Sequence, residues 1–336
     1  MRIGAINWDA ALPDNTYFGK YTHNNLGNSE YHNRLPFFAQ KTADNEYKIP
    51  MRTHEQYDEE LRYAAEFGID FFAYCWYPDS LVPRNIGKEE YGYLAQYYSE
   101  LNLARKHYQQ SEWNKKISMC AIILCVSAYA ESDFIALTEA MKQDYYEKID
   151  GRPLVLVFNR YDAETNRTIR KYASAENLNP YIAFISNNGD DFDSKTDYST
   201  ADAITAYAST HDAIGFDRLT ELTRVDNERR LTWNLPVIPL LSMGWNPSPR
   251  IARPSPWVTY PNASYADLPD VREIENAFCD LSDFIDKNSN LANTDHVIVF
   301  AWNEFEEGGY LCPTLADDGS PNYELLKNFY DVRKNY

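Results

Sequence analysis

Short apolar stretches alternate along the chain with longer stretches in which apolar residues recur every three or four positions. The short stretches predict β-strands and the longer ones amphipathic α-helices, so the alternation favours a parallel sheet built from βαβ units. Several strand candidates, among them FFAYC, LVLVF and VIVFAW, lack alternating polar residues, which is typical of strands covered on both faces. The eight predicted strands are Arg2–Trp8, Ile69–Trp76, Ile117–Val126, Pro153–Asn159, Tyr181–Ile185, Ala203–Tyr207, Val237–Ser242 and His296–Trp302.

The predicted helices carry recognisable start and stop signals. Thr53 and Gln56 form a capping box at the start of one helix, and Gly68 is a suitable residue to end it. Ser132 is predicted to cap the helix that contains Phe134. The last two helices are predicted from apolar stripes at helical spacing, formed by Val271, Ile274, Phe278, Leu281 and Ile285 and by Tyr323, Leu326, Phe329 and Val332.

Eight strands alternating with helices predict a (β/α)8 barrel, and the length of 336 residues suits one such barrel. No internal repeat or linker divides the chain, so residues 1–336 are expected to form a single catalytic domain. Barrel enzymes build their active sites from the loops that follow the strands. Four long loops of this kind mark the expected site: Asp9–Arg52, Tyr77–Glu90, Ser186–Ala201 and Met243–Pro269.

Composition and charge narrow the partners that the protein could bind. The formal net charge is −18, which repels phosphate backbones and anionic lipid surfaces, so nucleic acid and membrane-surface partners are not expected. The chain has 27 Tyr, 16 Phe and 7 Trp residues. Aromatic faces stack on the C–H faces of sugar rings, although aromatic residues also simply fill protein cores. An aromatic-rich cleft would suit a carbohydrate substrate.

Neither a disulfide framework nor a metal site is expected. The number of cysteines is odd, no C-x-x-C is present, and Cys75, Cys120 and Cys125 lie in apolar runs, which predicts buried free thiols. The six histidines lack the spacing of a metal site, so we expect no metal and no cofactor. Nothing in the residues indicates the oligomeric state.

No apolar run reaches the roughly 18 residues that cross a bilayer, so no membrane span is expected. The first residues, MRIGAINWDAALP, lack the continuous apolar region of a signal peptide. The default expectation is a cytoplasmic protein, with a periplasmic or secreted location if a leading segment has been removed.

The segment HVIVFAWNEFEEGGYLCP, residues 296 to 313, places a cluster of carboxylates directly after a buried strand. If Glu304 and Glu307 lie on one helical turn, their Cβ atoms are about 5–6 Å apart. Carboxyls about 5–5.5 Å apart suit a retaining glycosidase, whereas inverting enzymes hold them about 6.5–9.5 Å apart. A close pair also separates its pKa values, which leaves one acid and one base. The alternative is an acidic first turn that merely caps a helix.

Three blocks of the chain resemble the glycoside hydrolase family 99-like proteins, which include WbsX-type proteins of bacterial polysaccharide clusters and endo-α-mannosidases. AWNEFEEGGYLCP resembles the family segment A-W-N-E-W-x-E-G-x-x-x-E-P. MGWNPSPRIARPSPW is similar to G-W-D-x-x-P-R…P-x-x-W, and AAEFGIDFFAYCWY to the segment that leads into the second strand. The blocks follow the family's order over most of the chain, so the resemblance implies a barrel that cleaves glycosidic bonds.

The resemblance also implies roles for the two carboxylates. By position, Glu304 draws the proton from a sugar 2-hydroxyl, whose oxygen displaces the leaving group through an epoxide-like intermediate. Glu307 protonates the departing oxygen and later activates water. This chain departs from the family pattern at four positions, which leave the catalytic spacing intact and the sugar open: Phe305 for Trp, Glu306 for His, Cys312 for Glu and Asn246 for Asp.

Residues at other strand ends are expected to line the pocket around this pair. Arg250 offers a fork of donors to sugar hydroxyls or to a substrate carboxylate, or else forms a structural ion pair that holds its long loop. Asn159 is expected to orient a sugar hydroxyl or to cap the following turn. The full set of predicted substrate-binding residues is Asn7, Trp8, Tyr74, Trp76, Tyr77, Asn159, Tyr207, Trp245, Asn246, Arg250, Trp302 and Asn303.

The leading hypothesis is therefore a retaining glycoside hydrolase that acts on a neutral or mildly charged glycan and needs no cofactor. One alternative is a transferase of surface-polysaccharide assembly, in which a sugar acceptor replaces water. The other is a carbohydrate-binding barrel without catalytic activity. The chain has no P-loop, no G-x-G-x-x-G and no G-x-S-x-G, so nucleotide-binding and serine-hydrolase functions lack support.

Overall fold

The computed structural model describes residues 1–79, 93–124, 128–158, 161–211, 214–260, 265–292 and 294–336. All eight predicted strands are present in these ranges and run parallel in one sheet. They are β1 (Arg2–Asn7), β2 (Phe71–Trp76), β3 (Ser118–Ile123), β4 (Arg152–Val157), β5 (Tyr181–Ile185), β6 (Ala203–Thr205), β7 (Leu240–Ser242) and β8 (His296–Phe300).

The sheet follows the order β7-β8-β1-β2-β3-β4-β5-β6. A parallel bridge between Ile204 of β6 and Val237, just before β7, joins its two ends. The Ile238 N–H donates to the Ile204 carbonyl at 3.0 Å in the same place. The strands thus close into a ring, which confirms the predicted (β/α)8 barrel.

Helices cover the outside of the ring, and their packing explains why the strands are apolar on both faces. The α-helices are α1 (Tyr17–Leu26), α2 (His54–Glu66), α3 (Leu103–Gln110), α4 (Glu131–Met141), α5 (Ala163–Ala175), α6 (Phe216–Leu231), α7 (Ser248–Ala252), α8 (Val271–Lys287) and α9 (Glu324–Arg333). Short 3₁₀ helices span Ser29–Arg34, Tyr93–Asn102 and Glu112–Lys115.

The helix signals in the sequence are confirmed in part. Thr53 and Gln56 form the capping box of α2, and Gly68 follows that helix with a φ of 84°. The start of α4 differs from the prediction because the Asp133 carboxylate, rather than Ser132, accepts from the backbone of Ala130 at 2.7 Å. In the last two stripes the first residues, which lie at the amino-terminal boundary of each helix, are exposed, while the other apolar residues pack against the core.

Short pairs of antiparallel strands lie in several of the connections between the main elements. Gln40–Ala43 pairs with Glu46–Lys48 in the loop after β1, which also contains α1. Lys148–Ile149 pairs with β4. After β8, Asn303–Glu304 pairs with Gly309–Tyr310, and Thr314–Leu315 pairs with Pro321–Asn322. The loop predicted after β1 therefore contains regular elements.

The cysteines of the described ranges are free thiols. Cys75, Cys120 and Cys312 are buried, while Cys279 is exposed on α8, and Cys125 lies outside the described residues. Burial raises the pKa of Cys75 and Cys120 well above the ordinary thiol value, so both are protonated at neutral pH. In these same ranges, no helix combines the length and apolar character that a bilayer crossing requires.

Candidate active site

Glu304 and Glu307 lie at the two ends of a tight turn that follows β8. The Glu307 N–H donates to the Glu304 carbonyl at 3.1 Å, which closes a four-residue turn between the two short strands of the hairpin. The segment is therefore a hairpin turn and not the helical turn that we considered from the sequence. Both side chains are nevertheless directed into one cavity at the carboxyl end of the barrel.

The loop after β7 packs closely against this turn. The Asn246 N–H donates to the Glu307 carbonyl at 2.6 Å, and a Cβ atom added to Gly308 would lie 2.8 Å from the Asn246 backbone. A Cβ atom added to Gly244 would lie 2.2 Å from the Gly308 carbonyl oxygen. Two glycines thus allow the two backbones to meet, and this contact brings α7 and its Arg250 over the carboxylates.

Arg250 is the centre of a buried charge cluster. Its Nη1 donates to Glu307 Oε1, while its Nη2 lies 3.5 Å from Glu306 Oε2 and 3.8 Å from Glu304 Oε2. The Arg250 side chain is only 3% exposed. Burial alone would lower the pKa of Arg250, but the carboxylates of Glu307, Glu306 and Glu304 outweigh it and raise that pKa well above its ordinary value. The guanidinium is therefore a permanent cation.

Two tyrosines complete the contacts of the catalytic candidates. The Tyr207 hydroxyl donates to Glu304 Oε1 at 2.5 Å, and the Tyr260 hydroxyl donates to Glu307 Oε1 at 2.5 Å. Burial, followed by repulsion from Glu307, raises the pKa of Glu304 well above the ordinary carboxyl value. Burial and neighbouring acids also raise the pKa of both tyrosines, so they remain hydrogen-bond donors.

Glu306 points away from the cavity and ties the turn to α1. Its carboxylate accepts from Thr22 Oγ1 at 2.7 Å and from Asn25 Nδ2 at 2.5 Å. It does not contribute to the cavity wall. The three neighbouring carboxylates thus divide into two that face the cavity and one that anchors the turn to the surrounding structure.

The cavity itself measures about 380 Å³, which lies within the usual range of small-molecule sites. Its walls are mostly aromatic and aliphatic, with the acids at one side. The lining residues are Trp8, Cys75, Trp76, Tyr77, Ile122, Leu124, Phe158, Asn187, Tyr207, Ala208, Thr210, Trp245, Arg250, Trp257, Val258, Tyr260, Glu304 and Glu307.

The two tryptophans from β1 and β2 are held in place by cations and a hydrogen bond. The guanidinium of Arg105 stacks 3.7 Å from the ring centroid of Trp76, and that of Arg250 lies 5.0 Å from the Trp8 ring. Trp8 Nε1 also donates to the Tyr77 hydroxyl at 3.0 Å. Burial lowers the pKa of Arg105 to about 10, which leaves it charged at neutral pH. The ring orientations are therefore fixed before a ligand arrives.

Eight of the predicted site residues meet at this cavity: Trp8, Trp76, Tyr77, Tyr207, Trp245, Arg250, Glu304 and Glu307. Tyr74 does not, because it points to the outside of the barrel and packs 5.5 Å from Tyr108 of α3. Trp302 also faces outward, and its Nε1 donates to Glu60 of α2 at 2.8 Å. Consecutive strand residues face opposite sides of a sheet, so Cys75, the neighbour of Tyr74 in β2, lines the cavity instead.

Three further predicted residues lie behind the cavity wall and support it. Asn303 Oδ1 accepts from the Trp8 backbone at 2.8 Å, and its Nδ2 donates to Asn7 at 3.1 Å. Asn246 Nδ2 donates to Asp267 at 3.0 Å within its own loop. These side chains are engaged in fixing backbone positions, which corrects the expectation that they face the substrate. Asn159 lies outside the described residues.

Several residues of the cavity wall were not predicted from the sequence. Tyr260 and Trp257 follow α7 in the loop after β7, and Trp257 closed the sequence block noted above without being chosen as a site residue. Asn187 accepts from the Tyr207 backbone at 2.9 Å, which orients the end of β6. The signal for all three was their place in long loops at the carboxyl end of the barrel. In the described parts of the chain, no three His, Cys, Asp or Glu side chains are arranged to hold a metal ion.

Two solved structures of a GH99 endo-α-mannosidase from Bacteroides thetaiotaomicron are similar in fold. The first, in complex with bis-tris propane, is 13% identical with a TM-score of 0.60, and the match covers 99% of this chain and 96% of that one. The second is 13% identical with a TM-score of 0.51, over 84% and 80% of the two chains. No family model and no curated protein matches this sequence. The fold is thus GH99-like, in agreement with the sequence resemblance.

Proposed function

We propose that this protein is a glycoside hydrolase in which Glu304 and Glu307 form the acid–base pair. The observation that supports this is the placement of both carboxylates around one buried guanidinium in an aromatic-walled cavity. A glycosidic bond requires one group that protonates the departing oxygen and one that generates a nucleophile. The fold shared with GH99 endo-α-mannosidase structures agrees with a glycan-cleaving activity.

We further propose that the reaction retains the anomeric configuration through participation of the sugar 2-hydroxyl. Both carboxylates come from the same turn, so they approach a bound ring from one side of the cavity. This suits a mechanism in which the substrate's own O2 forms a bond to C1 while the bond from C1 to the leaving oxygen breaks. The same participation is what the family resemblance implies.

The charges of the cavity favour an uncharged sugar. Among the described residues of its wall, Arg250 is the one Lys, Arg or His, and three carboxylates already surround it. A substrate carboxylate or sulfate would compete with these internal acids and meet an excess of negative charge. Arg250 is therefore assigned to the structural cluster, and the preferred substrates are neutral glycans.

A panel of neutral polysaccharides and oligosaccharides tests the proposal, with analysis of the products and of the anomer that is released first. Because loss of a general acid or base slows catalysis by about 10²–10⁴-fold, E304Q and E307Q should each lose that much activity. E228Q is the control, since Glu228 is exposed on α6 and pairs with Arg224. Near wild-type turnover by either site variant would refute the assignment.

The same panel separates the other two functions. A transferase moves the glycosyl unit onto added acceptors and gives little free sugar in their presence. A binding barrel shows saturable glycan binding that survives both substitutions, with no product from any substrate. Release of sugar into water, with the configuration retained in the first product, supports the hydrolase.

A further inference from the structure

Two histidines from neighbouring helices meet at the surface of the protein. His54 is the first residue of α2, and His107 lies in α3. Their Nδ1 atoms are 2.9 Å apart, and their ring centroids are 5.0 Å apart. Neither residue lines the cavity of the candidate active site. Because 53 positions separate the two residues in the chain, no motif in the sequence indicates that they meet.

The imidazole of His107 is held in one orientation by its surroundings. Its Nε2 lies 2.8 Å from Asp58 Oδ1, and the ring of Tyr57 stacks on it at a centroid distance of 5.0 Å. The Ser111 hydroxyl donates to the same Asp58 oxygen at 2.5 Å, which fixes the carboxylate in turn. A carboxylate accepts hydrogen bonds and donates none, so the proton of the neutral His107 ring lies on Nε2. The lone pair of its Nδ1 therefore faces His54.

This arrangement matches that of histidines which bind metal ions. Such a histidine binds the ion through one ring nitrogen and usually donates the N–H of the other to a carboxylate, which fixes the tautomer and makes the ligand more basic. In a tetrahedral zinc site, ligand nitrogens about 2.05 Å from the ion are about 3.3 Å from each other. The two Nδ1 atoms here are closer than this by about 0.4 Å. A small rotation of the exposed His54 ring provides the missing distance.

We propose that His54 and His107 bind a zinc ion through their two Nδ1 atoms. Without the ion, the two nitrogens share the proton of His54, and when the ion binds, this proton moves to His54 Nε2 through the solvent. Water molecules complete the tetrahedral coordination, because His54 lies at the surface. The net charge of −18 favours a cation.

The ion links α2 to α3 and so stabilises the folded state, as does any ligand that binds the folded chain alone. Imidazole nitrogens suit zinc, copper and nickel, whereas magnesium and calcium prefer oxygen ligands. The proposal is independent of the proposed hydrolase function, since neither histidine belongs to the candidate active site.

Isothermal titration of the protein with zinc chloride at about pH 7.5, without a histidine tag, tests the site. We expect the wild type to bind one ion more tightly than its surface carboxylates bind further ions. H54Q should weaken this binding by more than about 100-fold because it removes a ligand, and D58N by about 10–100-fold because it removes the partner that orients His107. H32Q is the matched control and should bind zinc as the wild type does, since the His32 ring contacts the Gly27 carbonyl at 3.2 Å.

Two outcomes of the titration overturn the proposal. One is an absence of zinc binding by the wild type at about 1 mM zinc, and the other is an unchanged affinity in H54Q. H54Q is the decisive variant because the His54 side chain is exposed, so its substitution leaves the packing of the helices intact. His107 is only 10% exposed, and its substitution also disturbs that packing.

Thermal unfolding and copper binding report on the same pair of rings. Zinc should raise the melting temperature of the wild type and of H32Q and leave that of H54Q unchanged. Copper(II) serves as a paramagnetic probe, and its electron paramagnetic resonance spectrum should show two nitrogen ligands in the wild type and one in H54Q. An equal rise of the melting temperature in H54Q, or a wild-type copper spectrum without nitrogen couplings, contradicts the site.

Discussion

Buried carboxylates contact basic side chains at both ends of the barrel. Basic partners outnumber acids at the amino end, whereas acids outnumber basic partners at the carboxyl end. At the amino end, Glu147 accepts from Arg2 Nε at 2.6 Å, from Arg2 Nη2 at 2.5 Å and from His296 Nε2 at 2.8 Å. One acid there has two basic partners. At the carboxyl end, Arg250 is shared by three acids. Both carboxylate sites are buried, so the difference lies in how many partners each acid has.

The pKa values of the carboxyls at the two sites consequently shift in opposite directions. Burial would raise the pKa of Glu147, but the hydrogen bonds from His296 and Arg2 outweigh it and lower that pKa below its ordinary value. The pKa of Glu304 rises through burial and through repulsion by Glu307. A carboxylate with enough hydrogen-bond donors is stabilised as the anion and stabilises the fold. A carboxyl with too few donors has a raised pKa, as many carboxyls at functional sites do. The same residue type thus has a lowered pKa at one end of the barrel and a raised pKa at the other.

The largest effect is expected from R250M, which removes the cation of the acidic cluster. Loss of one partner from a buried ion pair costs about 3–5 kcal/mol, because the remaining charges are left uncompensated. We expect the free energy of unfolding, measured with urea at neutral pH, to fall by that amount. The fall should shrink at lower pH, where the carboxyls take up protons.

R253M is the matched control for this substitution. Arg253 directly follows α7, its side chain is exposed, and it donates to the Asn24 carbonyl at the surface. We expect its free energy of unfolding to stay within about 0.5 kcal/mol of the wild type. Equal losses in the two variants would show that the cluster does not depend on its central cation.

E147Q should destabilise the protein by about 1–3 kcal/mol, because it weakens charge-assisted hydrogen bonds from two donors. This loss of stability is smaller than that usual for a buried ion pair, because the Arg2 side chain is 41% exposed and water compensates part of it. A lowered folded-state pKa adds stability above the unfolded-state pKa. That stability disappears as the pH falls through the folded-state pKa. The loss in E147Q should therefore be full at neutral pH and shrink in acid, as urea unfolding at several pH values would measure.

E304Q makes the same chemical change at the other end of the barrel, and its effect on the free energy of unfolding should have the opposite sign. The raised folded-state pKa means that Glu304 costs no stability below the unfolded-state pKa, and that its cost grows as the pH rises through the folded-state pKa. We expect E304Q to be about 0.5–2 kcal/mol more stable than the wild type near pH 8. The gain should be smaller near pH 5. Destabilisation at both pH values would contradict the contrast between the two sites.

Much of this arrangement could be predicted from the sequence, because strands and their order follow from local apolar patterns. The eight strands and the position of Glu304 and Glu307 after β8 were predictable in this way. The pattern also indicated that the long loops after β1 and β7 face the site. The pattern indicated where these loops lie but not which contacts they make.

The contacts that decide the chemistry were not predictable, because they join residues that are far apart in the chain. Nothing near Glu306 in sequence indicates that its partners are Thr22 and Asn25 of α1. The outward direction of Tyr74 depends on the register of its strand, which a purely apolar run leaves open. Asn246 lies in one of the sequence blocks that resemble the family, yet its side chain donates to Asp267 within its own loop. The assignment of residues 1–336 to a single domain stays a prediction.

The smallest effect is expected from T22V, which removes one of the hydrogen bonds that hold Glu306. Valine preserves the shape of threonine, and Glu306 keeps Asn25 as a donor, so the free energy of unfolding should fall by about 0.5–1.5 kcal/mol. Urea unfolding at neutral pH measures the change, and an unchanged free energy of unfolding would mean that the hydrogen bond from Thr22 to Glu306 does not help to hold the turn against α1.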